Sequence, residues 1–119
     1  MHSSNIAITD QGQTAVVEFT QTCVSDVESI DAASLEIEDF IGHQHPHQMV
    51  FDFSQVKFFS SQVLGLLLKA RAQLQPEHGQ VMVSAVNPQL QRVFKITNLD
   101  RIFSFYPNRQ SALASIVTS

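Results

Sequence analysis

The sequence predicts an α/β domain with a mixed, mostly parallel β-sheet, an antiparallel hairpin at its start and about four flanking helices. Short apolar runs alternate with segments of helical periodicity along the chain, in the order β-β-α-β-α-β-α-β-α. Strands that alternate with helices in this way imply right-handed crossovers between parallel strands. With 119 residues, 44% of them hydrophobic, the chain is expected to form a single domain over residues 1–119.

The first two strands are predicted to form the hairpin. Ile6 and Ile8 alternate with polar neighbours, residues 15–19 make a second apolar run, and Gly12 lies in the turn between them. A turn this short joins antiparallel strands. The polar segment 20–29 is predicted to be irregular.

A helix and a buried strand follow. Asp31 is the predicted helix cap, and the spacing of Leu35, Ile37, Phe40 and Ile41 is expected to place most of them on one face of that helix. Gly42 is predicted to end the helix in a left-handed conformation. The run Met49 to Phe53, MVFDF, is apolar on both sides of the chain, which is typical of a central parallel strand.

The second half of the chain continues the alternation. A helix is predicted to begin at Ser60 or Ser61 and to run to about residue 75, where a proline stops it. Asn87 precedes a proline and caps the third helix. Asn98 is expected to leave that helix in the left-handed conformation. The remaining predicted elements are strands over 81–86 and 102–106, and a last helix that opens at Pro107-Asn108.

Charge and cysteine usage narrow the class of protein. The net charge is −4, with only seven Lys and Arg residues and no basic run, so neither nucleic acid nor an anionic membrane is expected as a partner. Cys23 is the only cysteine, which excludes an internal disulfide framework and fits a reducing compartment. The N-terminus lacks the pattern of a secretory signal, and the longest apolar run is far shorter than the ~20 residues of a membrane span. A soluble, cytoplasmic protein is the expectation.

The most informative stretch is Phe51 to Lys69, FDFSQVKFFSSQVLGLLLK. It resembles the signature of STAS domains, which are named for sulfate transporters and anti-sigma factor antagonists. In that family a strand ending in Asp-hydrophobic-Ser leads through Val-x-Phe into Asp-Ser-Ser-Gly-Leu-Gly at a helix start. A second stretch, VFKITNLDRIF over 93–103, resembles the family's third helix and its passage into the last strand. The resemblance implies the STAS fold and a protein that acts by binding another protein.

The resemblance also implies a regulatory serine. Aligned without gaps, the serine that is phosphorylated in some members falls on Ser61, and the Asp before it becomes Ser60. The Ser-Gly that follows becomes Gln62-Val63 in this chain. Ser61, or Ser60 in its place, is therefore the candidate phosphoacceptor. The departures at Ser60 and Val63 are expected to alter the surface that a kinase or anti-sigma factor would contact.

A phosphate at this place also has a physical rationale. The first N–H groups of a helix have no intrahelical partner, and the helix dipole is positive there, so a phosphate is stabilised. It adds a charge of about −1.5 to −2 to the surface on which a partner would dock. The Ser60-Ser61 pair before an apolar helix is equally the ordinary pattern of an N-cap. Both roles stay open at the level of sequence.

The predicted partner is a serine kinase that doubles as an anti-sigma factor. The alternative is a scaffold that is never phosphorylated and builds a signalling assembly, with self-association as one possibility. In either case an exposed phenylalanine beside the helix start is expected to anchor the contact. The predicted partner-binding residues are Phe58, Phe59, Ser60, Ser61, Gln62 and Leu64.

Metal binding and catalysis are not predicted. His43, His45 and His47 have a spacing that would place three imidazoles on one side of an extended strand, but Pro46 favours a solvated loop. The four glycines are isolated, so no phosphate-binding loop is present, and no nucleophile elbow is found. No cofactor is expected. The carboxylate of Asp52 is expected to bond the turn that follows it rather than to act as an acid or base.

Overall fold

A computed structural model describes residues 6–116 of the chain. It contains one five-stranded sheet, a separate two-stranded ribbon and four α-helices. The strands are β1 (Ile6–Gln11), β2 (Thr14–Phe19), β3 (Cys23–Val24), β4 (Gln48–Asp52), β5 (Phe58–Phe59), β6 (Gln80–Ser84) and β7 (Ser104–Tyr106). The helices are α1 (Val27–Gln44), α2 (Gln62–Leu74), α3 (Pro88–Ile96) and α4 (Arg109–Ile116).

The main sheet has the strand order β1-β2-β4-β6-β7. β1 and β2 are antiparallel, and every other neighbouring pair in this sheet is parallel. The predicted hairpin and the mostly parallel sheet are therefore confirmed. No helix between residues 6 and 116 is long and apolar enough to cross a membrane.

Helices cover both faces of the sheet. Residues of α1, α2 and α3 pack in the larger core with Val17, Phe51 and Val83 of the central strands. The opposite face carries Val16, Val50 and Met82, on which α4 packs through Ala112. Because successive side chains of a strand point to opposite faces, a central strand covered on both sides is apolar at most of its positions. The prediction that MVFDF is buried on both faces is confirmed.

The first helix is longer at both ends than predicted. It is capped by Asp26, whose Oδ2 accepts hydrogen bonds from the N–H of Ser29 at 3.0 Å and from its hydroxyl at 2.7 Å. These bonds lower the pKa of the Asp26 carboxyl. The prediction that Asp31 caps this helix was wrong, because the buried stripe already starts in the turn that follows Asp26. That stripe is Ile30, Ala33, Ile37 and Ile41.

The far end of α1 and its exposed face also differ from the prediction. Gly42 lies inside the helix, and His45 takes the left-handed conformation with φ 49°. Ile37 and Ile41 lie on the buried face as expected, but Leu35 is 65% exposed, so including it in that face was wrong. It falls opposite the apolar stripe, since helical neighbours recur every 3.6 residues.

Placing Gly42 in a helix has a measurable consequence. Gly42→Ala should raise the free energy of unfolding by about 0.5 to 1 kcal/mol, because alanine favours the helix. The new Cβ would meet no atom within 4 Å. Urea unfolding measures the change, with Gly79→Ala as the matched control. At Gly79 a Cβ would lie 2.8 Å from Cβ of Leu74, so that variant should be less stable. Destabilisation of both variants would contradict the helical placement of Gly42.

Three later asparagines lie at helix ends, as the sequence predicts. The side chain of Asn87 accepts a hydrogen bond from the N–H of Leu90 at 2.8 Å and so caps α3. Asn98 has φ 63°, the left-handed exit that asparagine tolerates. At the start of α4, Asn108 Oδ1 accepts the N–H of Ser111 at 2.8 Å. These positions are confirmed.

Candidate functional site

The candidate site is the turn that joins β4 to α2, at the carboxyl end of the parallel strands. Its middle is β5, which pairs in parallel with β3 and not with the main sheet. The carbonyl of Thr22 accepts the N–H groups of Lys57 and Phe58 at 2.8 and 3.2 Å. The carbonyl of Val24 accepts the N–H of Ser60 at 3.0 Å. The segment predicted to be irregular therefore supplies the short strand that holds this turn in place.

The two adjacent phenylalanines of β5 have opposite environments. Phe58 is 51% exposed, whereas Phe59 is 4% exposed. The ring of Phe59 lies between those of Phe53, at a centroid distance of 5.5 Å, and Phe94, at 5.8 Å. Alternation along a strand explains the difference, because one ring must point inward when the other points outward. Phe58 is thus the residue of the pair that is available to a partner.

The two serines also differ. Ser61 precedes α2, is exposed, and makes no side-chain capping hydrogen bond. The Oγ atom of Ser60 is buried and has no hydrogen-bond partner within the described part of the chain. The backbone closes the turn instead, since the carbonyl of Ser60 accepts the N–H of Val63 and that of Ser61 accepts the N–H of Leu64, both at 3.0 Å. Ser61 is therefore an exposed residue that provides no side-chain cap.

The first turn of α2 presents only part of its sequence. Gln62 is exposed, whereas Val63 and Leu64 are 0% and 6% exposed. The substitution of Val63 for the family's glycine is therefore accommodated inside the core. The expectation that Val63 alters the contacted surface was wrong. Leu64 and Phe59 support the site from within, and the exposed members of the predicted partner-binding set are Phe58, Ser61 and Gln62.

A buried carboxylate lies directly below this turn. Asp52, the last residue of β4, is 1% exposed. Its Oδ2 accepts the hydroxyl of Ser54 at 2.8 Å, as expected for a residue that bonds its own turn. Its Oδ1 accepts the hydroxyl of Ser84 on the neighbouring strand at 2.9 Å. Ser84 is itself 0% exposed, so this hydrogen bond is shielded from solvent.

The charge of Asp52 is balanced by Arg109 from the start of α4. The guanidinium Nη2 donates to Asp52 Oδ2 at 2.8 Å and lies 3.1 Å from Glu18 Oε1. The hydrogen bond to Asp52, followed in size by the one to Glu18, raises the pKa of the Arg109 guanidinium above its ordinary value. Glu18 Oε2 in turn accepts the side-chain N–H of Gln55 at 2.7 Å, so the network returns to the turn.

This network was not predicted from the sequence. Arg109 is 57 positions from Asp52, and nothing in the local pattern around either residue points to the other. The one usable signal is general: a carboxylate in an otherwise apolar strand must have a partner, because an unpaired buried charge is costly. Arg109 balances the charge of Asp52 and ties the start of α4 to the end of β4.

The histidine segment contacts residues outside this network, and the cysteine is paired with Phe58 in the β3–β5 ribbon. His43 is in the last turn of α1, with Nδ1 3.5 Å from Asp39 Oδ1, and His45 Nδ1 lies 3.5 Å from Glu77 Oε2. The extended strand that would let three imidazoles converge is not formed. Between residues 6 and 116 no group of three or more His, Cys, Asp or Glu residues could hold a metal ion. Cys23 in β3 is an exposed free thiol.

The profile of the STAS domain family matches residues 6–112. The chain belongs to the STAS domain family, as the resemblance in its sequence indicated, and it has the STAS fold. The turn between β4 and α2 is the segment that carried that resemblance.

Solved structures agree with the assignment. An anti-sigma factor antagonist from Mycobacterium paratuberculosis is 27% identical, with a TM-score of 0.79 over 92% of this chain and 91% of that one. An anti-sigma factor antagonist (STAS) domain protein from Planctomyces limnophilus is 19% identical, with a TM-score of 0.85 over 98% of this chain and 100% of that one. The Bacillus cell fate determinant SpoIIAA in its phosphorylated form is 17% identical, with a TM-score of 0.74 over 93% of this chain and 98% of that one.

Proposed function

We propose that this chain is an anti-sigma factor antagonist whose binding to a protein partner is switched off by phosphorylation of Ser61. The partner would be an anti-sigma factor that is also a serine kinase. In this role the chain binds and regulates, and it catalyses no reaction itself. The similar protein from Mycobacterium paratuberculosis, an anti-sigma factor antagonist, supports the class of function.

The observation that carries the proposal is the contrast between the two serines. Ser61 is exposed at the N-terminus of α2 and is not used as a cap, so its hydroxyl is accessible to a kinase. The hydroxyl of Ser60 is buried, which argues against it as the acceptor. A phosphate on Ser61 would meet the N–H groups and the positive dipole at the start of α2. The phosphorylated form of the Bacillus protein is a precedent within the same fold.

The proposed docking surface consists of Phe58, Ser61 and Gln62, which are exposed in β5 and at the start of α2. Phe58 offers an exposed ring next to polar groups, a combination that is common at the centre of protein interfaces. A partner that fits the neutral hydroxyl of Ser61 would have to bury about two negative charges after phosphorylation. Release of the partner then needs no movement of the backbone.

Phosphosite mapping by tandem mass spectrometry tests the acceptor. Protein isolated from its native cells, stressed and unstressed, should carry phosphate on Ser61 in an amount that changes with the condition. Phosphate on Ser60, or full coverage of the 51–69 peptide without phosphate, would contradict the proposal.

Binding to the partner tests the switch. Ser61→Asp should weaken the affinity about 100-fold, because a carboxylate is buried without a counter-charge at the interface. Isothermal titration calorimetry with the purified anti-sigma factor measures the affinity. Ser61→Ala and Ser60→Ala are the controls, and both should bind as the wild type does. Unchanged affinity of the Ser61→Asp variant would refute the switch.

A further inference from the structure

The outer face of α1 is strongly acidic and carries an exposed leucine. The helix contains five of the chain's eleven Asp and Glu residues and no Lys or Arg. Asp31, Leu35 and Asp39 lie four residues apart, so they form one stripe opposite the buried side of the helix. Leu35 is 65% exposed and is thus flanked by a carboxylate on each side. These three residues define the α1 face.

The outer face of α3 has the opposite charge. Arg92, Lys95 and Ile96 are exposed, and α3 contains no acidic residue. Ile96 is 72% exposed, the highest value among the large apolar side chains of the described residues. A depression of about 320 Å³ lies beside Arg92 and Lys95, with Pro88, Gln91 and Asp100 completing its wall. Arg92, Lys95, Ile96 and this depression define the α3 face.

The charged side chains of the two faces are largely free of ion pairs in the part of the chain that the structure describes. Among residues 6–116, Asp31, Arg92 and Lys95 take part in no ion pair, and Asp39 lies near only the ring of His43. The two most exposed large apolar side chains, Leu35 and Ile96, thus lie on helices of opposite charge. Exposed apolar side chains on two surfaces of opposite charge are typical of protein–protein interfaces.

We propose that the α1 face of one copy of this chain binds the α3 face of the next. Leu35 would enter the depression beside α3, while Asp31 and Asp39 would lie against Arg92 and Lys95. The two faces differ, so the contact is heterologous, and a pair of bound copies keeps one free α1 face and one free α3 face. Copies would therefore add head to tail. The contact goes beyond the proposed function, because it uses neither Ser61 nor Phe58.

The contact is expected to be weak and sensitive to salt. Its polar part consists of exposed ion pairs, which ionic strength screens over distances of about 8 to 10 Å. A dissociation constant of about 0.1 to 1 mM is expected for so small a patch. Sedimentation velocity should show a coefficient that rises with protein concentration up to about 1 mM at low salt, and no such rise in about 0.5 M NaCl.

Charge reversal provides the decisive test. Asp31→Lys/Asp39→Lys alters the α1 face, and Arg92→Glu/Lys95→Glu alters the α3 face. Each double variant alone should sediment as a monomer at every concentration. An equimolar mixture should associate again, since each variant supplies the charge that the other lacks. Circular dichroism checks that both variants are folded.

A matched control carries the same net charge change as the α3 variant. Lys57→Glu/Lys69→Glu reverses two exposed lysines that belong to neither face, and it should associate as the wild type does. Wild-type protein that stays monomeric at low salt would overturn the proposal. So would a mixture that fails to associate. A monomeric wild type whose partner binding is lost in the α1 variant would assign the α1 face to that partner instead.

Discussion

Phe59→Ala should lower the free energy of unfolding by about 3 to 4 kcal/mol, because it removes a fully packed ring from between two others. Phe59 is 4% exposed, and its ring contacts those of Phe53 and Phe94 edge to face. Phe59 is followed in the chain by Ser60, whose N–H donates a hydrogen bond to the carbonyl of Val24. Urea unfolding followed by circular dichroism measures the change.

The neighbouring residue provides the control. Phe58→Ala removes the same ring from an exposed position and should change the free energy of unfolding by less than about 1 kcal/mol. If the proposed docking surface is correct, Phe58→Ala should instead weaken the binding of the partner. Equal destabilisation by the two variants would contradict the inward and outward assignment of these rings.

Arg109→Ala is expected to have the second largest effect, a loss of about 2 to 3 kcal/mol of stability. The substitution removes the cation that balances Asp52, a carboxylate that is 1% exposed. The value lies below that of a fully enclosed pair because the side chain of Arg109 is 37% exposed and water can partly replace it. Thermal and urea unfolding both report this loss.

Two further variants show whether the loss comes from the Asp52 pair. Arg101→Ala, at an exposed arginine, should leave stability within about 0.5 kcal/mol of the wild type. Asp52→Asn should lower the free energy of unfolding by at least about 1 kcal/mol less in the Arg109→Ala background than in the wild type. The reason is that in this background it removes a carboxylate that has already lost its cation. Strictly additive effects would mean that Arg109 stabilises the fold through packing alone.

Much of the fold follows from local sequence patterns. The hairpin around Gly12, the buried strand MVFDF and the asparagine at the start of α3 each depend on a few neighbouring residues, and each was predicted correctly. The limits of α1 were not predicted correctly, because Asp26 and Asp31 are both plausible caps. The apolar stripe that distinguishes them depends on which side of the helix meets the sheet. That side is set by tertiary packing.

The site was predictable as a segment but not as a set of contacts. The motif located the turn between β4 and α2, yet periodicity alone could not tell which of Phe58 and Phe59 points outward. The roles of Ser60 and Ser61 depend equally on the short ribbon formed by β3 and β5. Two-residue strands leave almost no pattern in a sequence, because pairing at that length is decided by the surrounding structure.

The way in which Ser61 is held also defines what kind of substrate it can be. Its backbone is already helical, with φ −61° and ψ −17°, and the turn before it is held by hydrogen bonds to Thr22 and Val24, far away in the chain. A synthetic peptide spanning this region would lose those bonds, and a helix of 13 residues is marginal in water on its own. An enzyme that modifies Ser61 in this geometry must recognise a folded surface rather than an extended peptide. Its specificity would then be encoded by residues that are distant in sequence, and a consensus written around the serine would miss it.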